Sequence, residues 1–272
     1  MTRTITGATR VAGVVGQPIA HSLSPLIHNA WIAAAGLDAD YRAFAPADAA
    51  GFADLVAEGR AGRLRGLNVT APFKEQALAL SDEASETARA CGSANLLVFE
   101  GGRVRADSTD GVGLMAALAE QAPQRSVRGR AVVVLGAGGA ARAAVAALRS
   151  AGADVGVLNR TRQRAEVLAQ DLGATVVESD ALAEAVLVVN ALSVPPEIDV
   201  SRLRDDAVLM DMTYRPLVTP FLKQGRARGL TTVDGLAMLI GQARPSFRAI
   251  FGIEPPPIDV RAPALAALGE TP

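Results

Sequence analysis

Only one of the 272 residues is a cysteine, Cys91, so no intramolecular disulfide can form, which fits a reducing compartment. A lone cysteine is more often a small buried hydrophobe than a nucleophile. His21 and His28 are the only histidines. One Cys and two His are too few for a Cys/His zinc site, and no metal is expected. Long apolar stretches are missing as well. Val132–Leu135 and Val186–Val189 are far too short to span a bilayer, and MTRTITGATRVAGVVG lacks the apolar core of a signal peptide. The expectation is a soluble cytoplasmic protein with no membrane partner. Net charge is nearly absent at −1, so the whole molecule is not steered toward nucleic acid or acidic lipid. Attraction for an anionic ligand must be local. What is present is a 50% hydrophobic composition with 20% charged residues, enough to bury a core.

Apolar β-branched runs alternate with alanine-rich helical stretches. Thr9–Val15 reads as a first strand ending at Gly16. Pro25–Ala35 reads as a helix, with Ser24 as its N-cap and Pro25 at its first position. Strands are predicted over Asp40–Phe44 and Gly66–Val69, and a helix over Asp48–Glu58. Asn95–Phe99 and Arg103–Ala106 flank Glu100-Gly101-Gly102, a hairpin signal. A helix over Val112–Glu120 and a polar connection, Ala122–Arg130, follow. Strands over Ala131–Leu135, Val155–Leu158, Leu187–Asn190 and Val208–Asp211 alternate with helices over Ala140–Ala151 and Gln163–Leu172. That order predicts a parallel sheet covered on both faces. A last alanine-rich helix starts at Pro263, after Pro255-Pro256-Pro257.

VVVLGAGGAAR, Val132 to Arg142, is a strand, a glycine turn and a helix start. Such a turn lets the backbone approach a pyrophosphate with no Cβ in the way, and the helix N-terminus offers it free N–H groups. A tight turn without a ligand would look the same over so short a segment; its place in a βαβ unit favours the nucleotide reading. After the next strand, where an NAD-binding unit often carries Asp or Glu for the ribose 2′-OH, this chain has Asn159-Arg160-Thr161, then Arg162 and Arg164. A carboxylate would repel a 2′-phosphate, whereas a guanidinium pairs with it through two hydrogen bonds. NADP is therefore favoured over NAD. The competing reading, an ordinary basic helix start, sits poorly with the helix dipole.

The first half concentrates small polar groups at predicted loop ends: Ser22 and Ser24 in HSLSP, Asn68, Thr70 and Lys74 in NVTAPFK, Asn95 in GSAN, Asp110 in DSTDG. Hydroxyls and amides with few fixed charges suit a polyhydroxylated, carboxylated ring. Lys74 is the candidate for chemistry, able to pass a proton to a carbonyl oxygen as hydride arrives, with Asp110 to orient it. Taken alone, Lys74 reads better as a solvated helix-start lysine, and Asp110 reads also as the N-cap of the following helix.

Together these segments resemble the shikimate dehydrogenase family. VVGQPIAHSLSPLIHNA, GLNVTAPFKE, ADSTDGVG, VLGAGGAAR, NRTRQRAE, VVNALS, LMDMTY and DGLAMLIGQA follow one another in the family's order over nearly the whole chain. The resemblance implies roles position by position. Ser22 and Ser24 would bind the substrate carboxylate; Asn68, Thr70, Asn95 and Gln242 would contact ring hydroxyls; Tyr214 would stand at the substrate cleft. Lys74 and Asp110 would be the catalytic pair. Gly136, Ala137, Gly138, Gly139, Ala140, Asn159, Arg160, Thr161 and Arg164 would contact NADP, with Met212, Gly235 and Met238 near the nicotinamide. Ser108 stands where the family usually has Asn, Leu96 where it has Thr, and Ser93-Ala94 where it has Ala-Val. Those departures bear on substrate choice and leave the Lys/Asp pair and cofactor motif intact.

The fold expected is α/β in two domains with a cleft between them: an N-terminal α/β substrate domain over residues 1–110, completed by C-terminal helices in 235–272, and a Rossmann-like doubly wound NADP domain over 111–234. The implied reaction is reduction of 3-dehydroshikimate to shikimate by NADPH, without a metal, in a monomer or homodimer. The alternatives are a quinate/shikimate dehydrogenase of looser choice and, from another class, a non-catalytic NADP-binding sensor. A sensor has no chemical reason to keep both Lys74 and Asp110. A glutamyl-tRNA reductase would need a catalytic cysteine and an RNA-binding surface, and a folate-type methylene dehydrogenase would lack the HSLSP serines.

Overall fold

A computed structural model of the chain describes residues 5–270. It divides into two compact units, one made of the chain up to Thr109 and from Ala243 onward, the other of Asp110–Gln242. No described helix is long and apolar enough to cross a membrane.

The first unit is a six-stranded mixed sheet. Its elements are β1 (Arg10–Val15), α1 (Ser24–Ala34), β2 (Ala39–Phe44), α2 (Ala49–Arg60), β3 (Gly66–Val69), α3 (Lys74–Ala79), β4 (Glu83–Ala84), α4 (Glu86–Cys91), β5 (Leu96–Glu100) and β6 (Arg103–Asp107). The strand order is β2-β1-β3-β5-β6-β4. β1 runs parallel to both β2 and β3, while β5 is antiparallel to β3 and β6. The β5–β6 hairpin turns on Gly101 and Gly102, both at positive φ, as a two-residue turn that follows strand twist requires. One core gathers Leu67, Val69, Leu97 and Phe99 from the strands with Phe52 and Val56 from α2.

Helix α1 starts one residue earlier than the sequence suggests. Ser24 is its first residue, Leu23 occupies the cap position without a side-chain hydrogen bond, and Pro25 follows in the first turn. Ser24 is therefore not the cap. The Ser22 hydroxyl accepts from the Ser24 N–H at 3.3 Å instead.

The second unit is a six-stranded, wholly parallel sheet. It comprises α5 (Asp110–Gln121), β7 (Ala131–Leu135), α6 (Gly139–Ser150), β8 (Asp154–Leu158), α7 (Arg162–Leu172), β9 (Thr175–Val176), β10 (Leu187–Asn190), β11 (Val208–Asp211), α8 (Pro220–Ala227) and β12 (Thr231–Val233). The order β12-β11-β10-β7-β8-β9 is doubly wound. Val132 and Val134 of β7 join one core with α5 and α6, and Val133 and Leu135 join another with Phe221 and Leu222 of α8. This alternation buries both faces, and it explains why the strand reads as a continuous apolar run.

Helix α9 (Gly235–Phe251) contains the unit boundary, and α10 (Arg261–Leu268) closes the chain. The unit limits fall at 109/110 and 242/243.

Candidate active site

In the first unit the chain leaves β1 to form β2 on one side, then returns to form β3 on the other. Loops diverge at such a switch point and leave room for a ligand beyond the carboxyl ends of the strands. Val15 and Val69 are paired there. The Thr70 N–H donates to the Val15 carbonyl at 2.9 Å, and the Gln17 N–H to Ala71 at 3.1 Å. Gly16 is needed for this approach: a Cβ would stand 2.3 Å from the Thr70 methyl. The loop carrying Ser22 and Ser24 and the loop carrying Thr70 and Lys74 thus leave neighbouring strand ends. Ser24 is buried, and Ser22, Thr70 and Lys74 are partly exposed.

Lys74 is the first residue of α3, and its carbonyl accepts from the Ala94 N–H at 2.9 Å. That bond ties the lysine's backbone to the residue before Asn95. The Asn95 carbonyl accepts from the Val69 N–H at 2.8 Å. Behind these groups lies a buried polar network. Asn68 Oδ1 accepts from the Tyr41 hydroxyl at 2.8 Å, and its Nδ2 donates to Ser246 Oγ at 2.9 Å and to the Asn95 carbonyl at 3.3 Å. Asn95 Oδ1 accepts from the Thr109 N–H at 2.7 Å, its Nδ2 donates to Thr109 Oγ1 at 3.0 Å, and Thr109 Oγ1 lies 3.3 Å from Ser246 Oγ. Asn68, Asn95, Thr109 and Ser246 are all at most 5% exposed. Beneath the network, His28 stacks on Tyr41 with ring centroids 4.1 Å apart. Burial holds the His28 imidazole down at about 3, and pushes the Tyr41 phenol well above its ordinary value. Tyr41, Thr109 and Ser246 are not singled out by the sequence.

Asp110 directly follows Thr109 and begins α5, buried. Within the second unit, α5 and α9 touch through glycines. A Cβ on Gly113 would sit 2.7 Å from Gln242 Cβ, and one on Gly241 would sit 3.2 Å from Gly113 Cα. Gln242 thereby packs one turn along α5 from Asp110. At the start of α9, Asp234 accepts from the Ala237 N–H and from Gln121 Nε2, both at 2.9 Å. A Cβ on Gly235 would meet the Thr213 carbonyl oxygen at 2.5 Å. This places Met212, Gly235 and, one turn on, the buried Met238 close together. Tyr214, two residues beyond Met212, is partly exposed.

The second unit's switch point lies between β7 and β10. Gly136 has φ +116°, a conformation that side chains rarely adopt, and a Cβ there would press on Leu192 at 3.1 Å. Gly138 caps α6 with no side chain, and the helix's first turn has no acidic residue. Its leading N–H groups are therefore a ready anion site, around Gly136 to Ala140. After β8, Asn159 Nδ2 donates to the Thr161 carbonyl at 2.9 Å and shapes the turn into α7. Arg162 is committed to Glu166 at 3.0 Å and Glu178 at 2.5 Å. Arg160 and Arg164 are exposed and make no ion pair with any described residue. Two unspent guanidiniums beside a backbone cradle fit a dinucleotide that carries an additional phosphate.

The doubly wound unit, its glycine turn and the polar strand ends of the first unit define an oxidoreductase of the nicotinamide-dinucleotide class. Residues 14–97 match the family model for the shikimate dehydrogenase substrate binding domain, and residues 117–205 that for shikimate / quinate 5-dehydrogenase. The NADP(+)-type shikimate dehydrogenase of Caulobacter vibrioides is 55% identical, over 99% of this chain and 100% of its own length. The structure is similar to that of shikimate 5-dehydrogenase from Thermus thermophilus in complex with NADP(H) and shikimate, with a TM-score of 0.88 and 37% identity over 95% of this chain and 99% of that one. It is also similar to quinate dehydrogenase from Corynebacterium glutamicum in complex with NAD, with a TM-score of 0.82 and 31% identity over 93% and 96%. The chain belongs to the shikimate dehydrogenase family and is an NADP-dependent oxidoreductase.

Proposed function

We propose that the protein catalyses the reversible reduction of 3-dehydroshikimate to shikimate, with Ser22, Ser24, Asn68, Thr70, Asn95, Tyr214 and Gln242 holding the substrate. The observation that carries this reading is the set of hydroxyls and amides in the segments that follow β1, end β3 and precede β5, whose backbones are hydrogen-bonded to one another and to Lys74 at the start of α3. Ser22 and Ser24 receive the ring carboxylate, and the amides and Thr70 receive its hydroxyls. Bound NADPH supplies the hydride. Lys74 gives a proton to the carbonyl oxygen as that carbon becomes a carbinol, and takes it back in the oxidative direction. Asp110 supplies the carboxylate partner that orients this transfer. The backbone from Gly136 to Ala140 holds the pyrophosphate. Asn159, Arg160, Thr161 and Arg164 hold the 2′-phosphate, and Met212, Gly235 and Met238 bound the nicotinamide end.

A looser quinate/shikimate dehydrogenase is the second reading. Leu96 and Ser108, which depart from the family's usual residues, are both buried next to Asn95 and Thr109 in the chain. The test is an assay at the NADPH absorbance with shikimate and quinate crossed against NADP and NAD. Fast turnover of shikimate with NADP alone is expected. Equal turnover of quinate supports the second reading, and no turnover of either substrate overturns both. The working form is a cytoplasmic monomer or homodimer, and light scattering on the eluting protein distinguishes the two.

A further inference from the structure

The direction of the Asn68 amide is fixed by its neighbours. The Asn95 carbonyl can only accept, so the atom facing it must be Asn68 Nδ2, the donor. Flipping the amide would set two acceptors against each other at 3.3 Å in a buried space. The second Nδ2 hydrogen then goes to Ser246 Oγ, at 2.9 Å. Both donors of Asn68 are consumed by the protein. Oδ1 accepts from Tyr41 and keeps one lone pair. Toward a ligand, Asn68 is left as an acceptor.

Ser246 is wholly buried on α9, 178 residues from Asn68, and it also reaches Thr109 Oγ1 at 3.3 Å, which in turn bonds Asn95. Ser246 thus touches both the Asn68 amide and the hydroxyl bonded to the Asn95 amide. A serine among Ala243, Phe247 and Ile250, all buried, has no packing reason to be polar. We infer that Ser246 is a positioning residue for substrate recognition: it consumes the second Asn68 donor, so that Asn68 meets a substrate hydroxyl as an acceptor of fixed direction. This rests on the proposed reading that Asn68 binds a ring hydroxyl.

The test is a double-mutant cycle on the full chain, read as KM and kcat for shikimate at saturating NADP. Ser246→Ala leaves an Asn68 N–H unsatisfied and should raise KM about 5- to 30-fold, the scale of one broken buried hydrogen bond, with kcat within threefold. Ser246→Cys keeps the shape with a weaker acceptor and should fall between wild type and Ser246→Ala; it also serves if Ser246→Ala folds poorly. In an Asn68→Ala background, Ser246→Ala should add less than twofold, because the two residues act as one unit. Wild-type KM in both Ser246 variants, or a double variant losing the full product of the single losses, would overturn the inference. Failure of the underlying reading shows separately, as a wild-type protein that does not turn over shikimate, or an Asn68→Ala variant with unchanged KM.

Discussion

The two sheets place their ligand groups by the same topological device and then recognise by different means. At the β1/β3 switch point the first unit uses side chains that hold one another: Tyr41, Asn68, Asn95, Thr109 and Ser246 form one buried hydrogen-bonded set. At the β7/β10 switch point the second unit uses backbone N–H groups made reachable by glycine, with Arg160 and Arg164 exposed and unpaired with any described carboxylate. The difference follows from the ligands proposed. A neutral ring hydroxyl is told from its neighbours only by donor and acceptor direction, so the amides must be locked. A phosphate carries charge, and Coulomb attraction tolerates a mobile guanidinium. Substitutions at the β1/β3 switch point should therefore be coupled and felt in substrate terms, and those at the β7/β10 switch point should be separable and felt in cofactor terms.

The largest expected effect is at Lys74. Lys74→Ala should lower kcat about 10²- to 10⁴-fold, the range for a lost general acid, with the Kd for NADPH within about twofold of wild type. A kcat within threefold of wild type would break the assignment and leave Asp110 acting through a bound water. Next comes the 2′-phosphate site. Arg160→Ala should weaken NADP by roughly 1–3 kcal/mol and barely change NAD, because the lost hydrogen bonds are to a charged group that NAD lacks. Equal loss of both cofactors, measured by titration, would remove Arg160 from that role.

A third prediction separates the units by pH. Both histidines of the chain lie in the first unit, and His28 is buried with its pKa lowered to about 3. A histidine that is neutral when folded and titrates near 6.5 when unfolded favours the unfolded chain as pH falls from 6.5 toward 3. Its stabilising contribution is complete above pH 6.5, and about 2 kcal/mol of it should be lost between pH 7 and pH 5. Urea unfolding of wild type against His28→Phe at the two pH values measures this; equal losses in both proteins would exclude His28 as the source. The smallest effect is at the carboxylate serines. Ser22→Ala or Ser24→Ala should raise KM for shikimate several-fold, about 1 kcal/mol each, more than it lowers kcat. Normal KM in both would make them structural residues of the α1 start.

How much of this is legible in sequence follows from burial and length. β3, β7, β10 and β11 are predicted to the residue or nearly so, because strands buried on both faces read as short apolar runs closed by polar or glycine residues. The short elements α3, α4, β4, β9 and β12 escape, since two to six residues carry too little periodicity to register. Ser24 reads wrongly as a cap because Pro25 marks the first turn without fixing which residue opens it. The site's outward groups sit in loop motifs and can be picked out one by one. Their supports cannot: Ser246 lies 178 residues from Asn68, and only the folded chain brings them together. One signal is available there. A serine on the apolar face of α9, between Ala243 and Phe247, is a polar group at a core position and calls for a partner.

The division of labour is tested most directly by cross-titration: the Kd of NADP and the Kd of shikimate, each measured alone by calorimetry on wild type, Arg160→Ala and Ser22→Ala. A diagonal result is expected, with Arg160→Ala weakening NADP about 5- to 150-fold and leaving shikimate within twofold, and Ser22→Ala weakening shikimate and leaving NADP within twofold. Comparable loss of both ligands in either variant would contradict it.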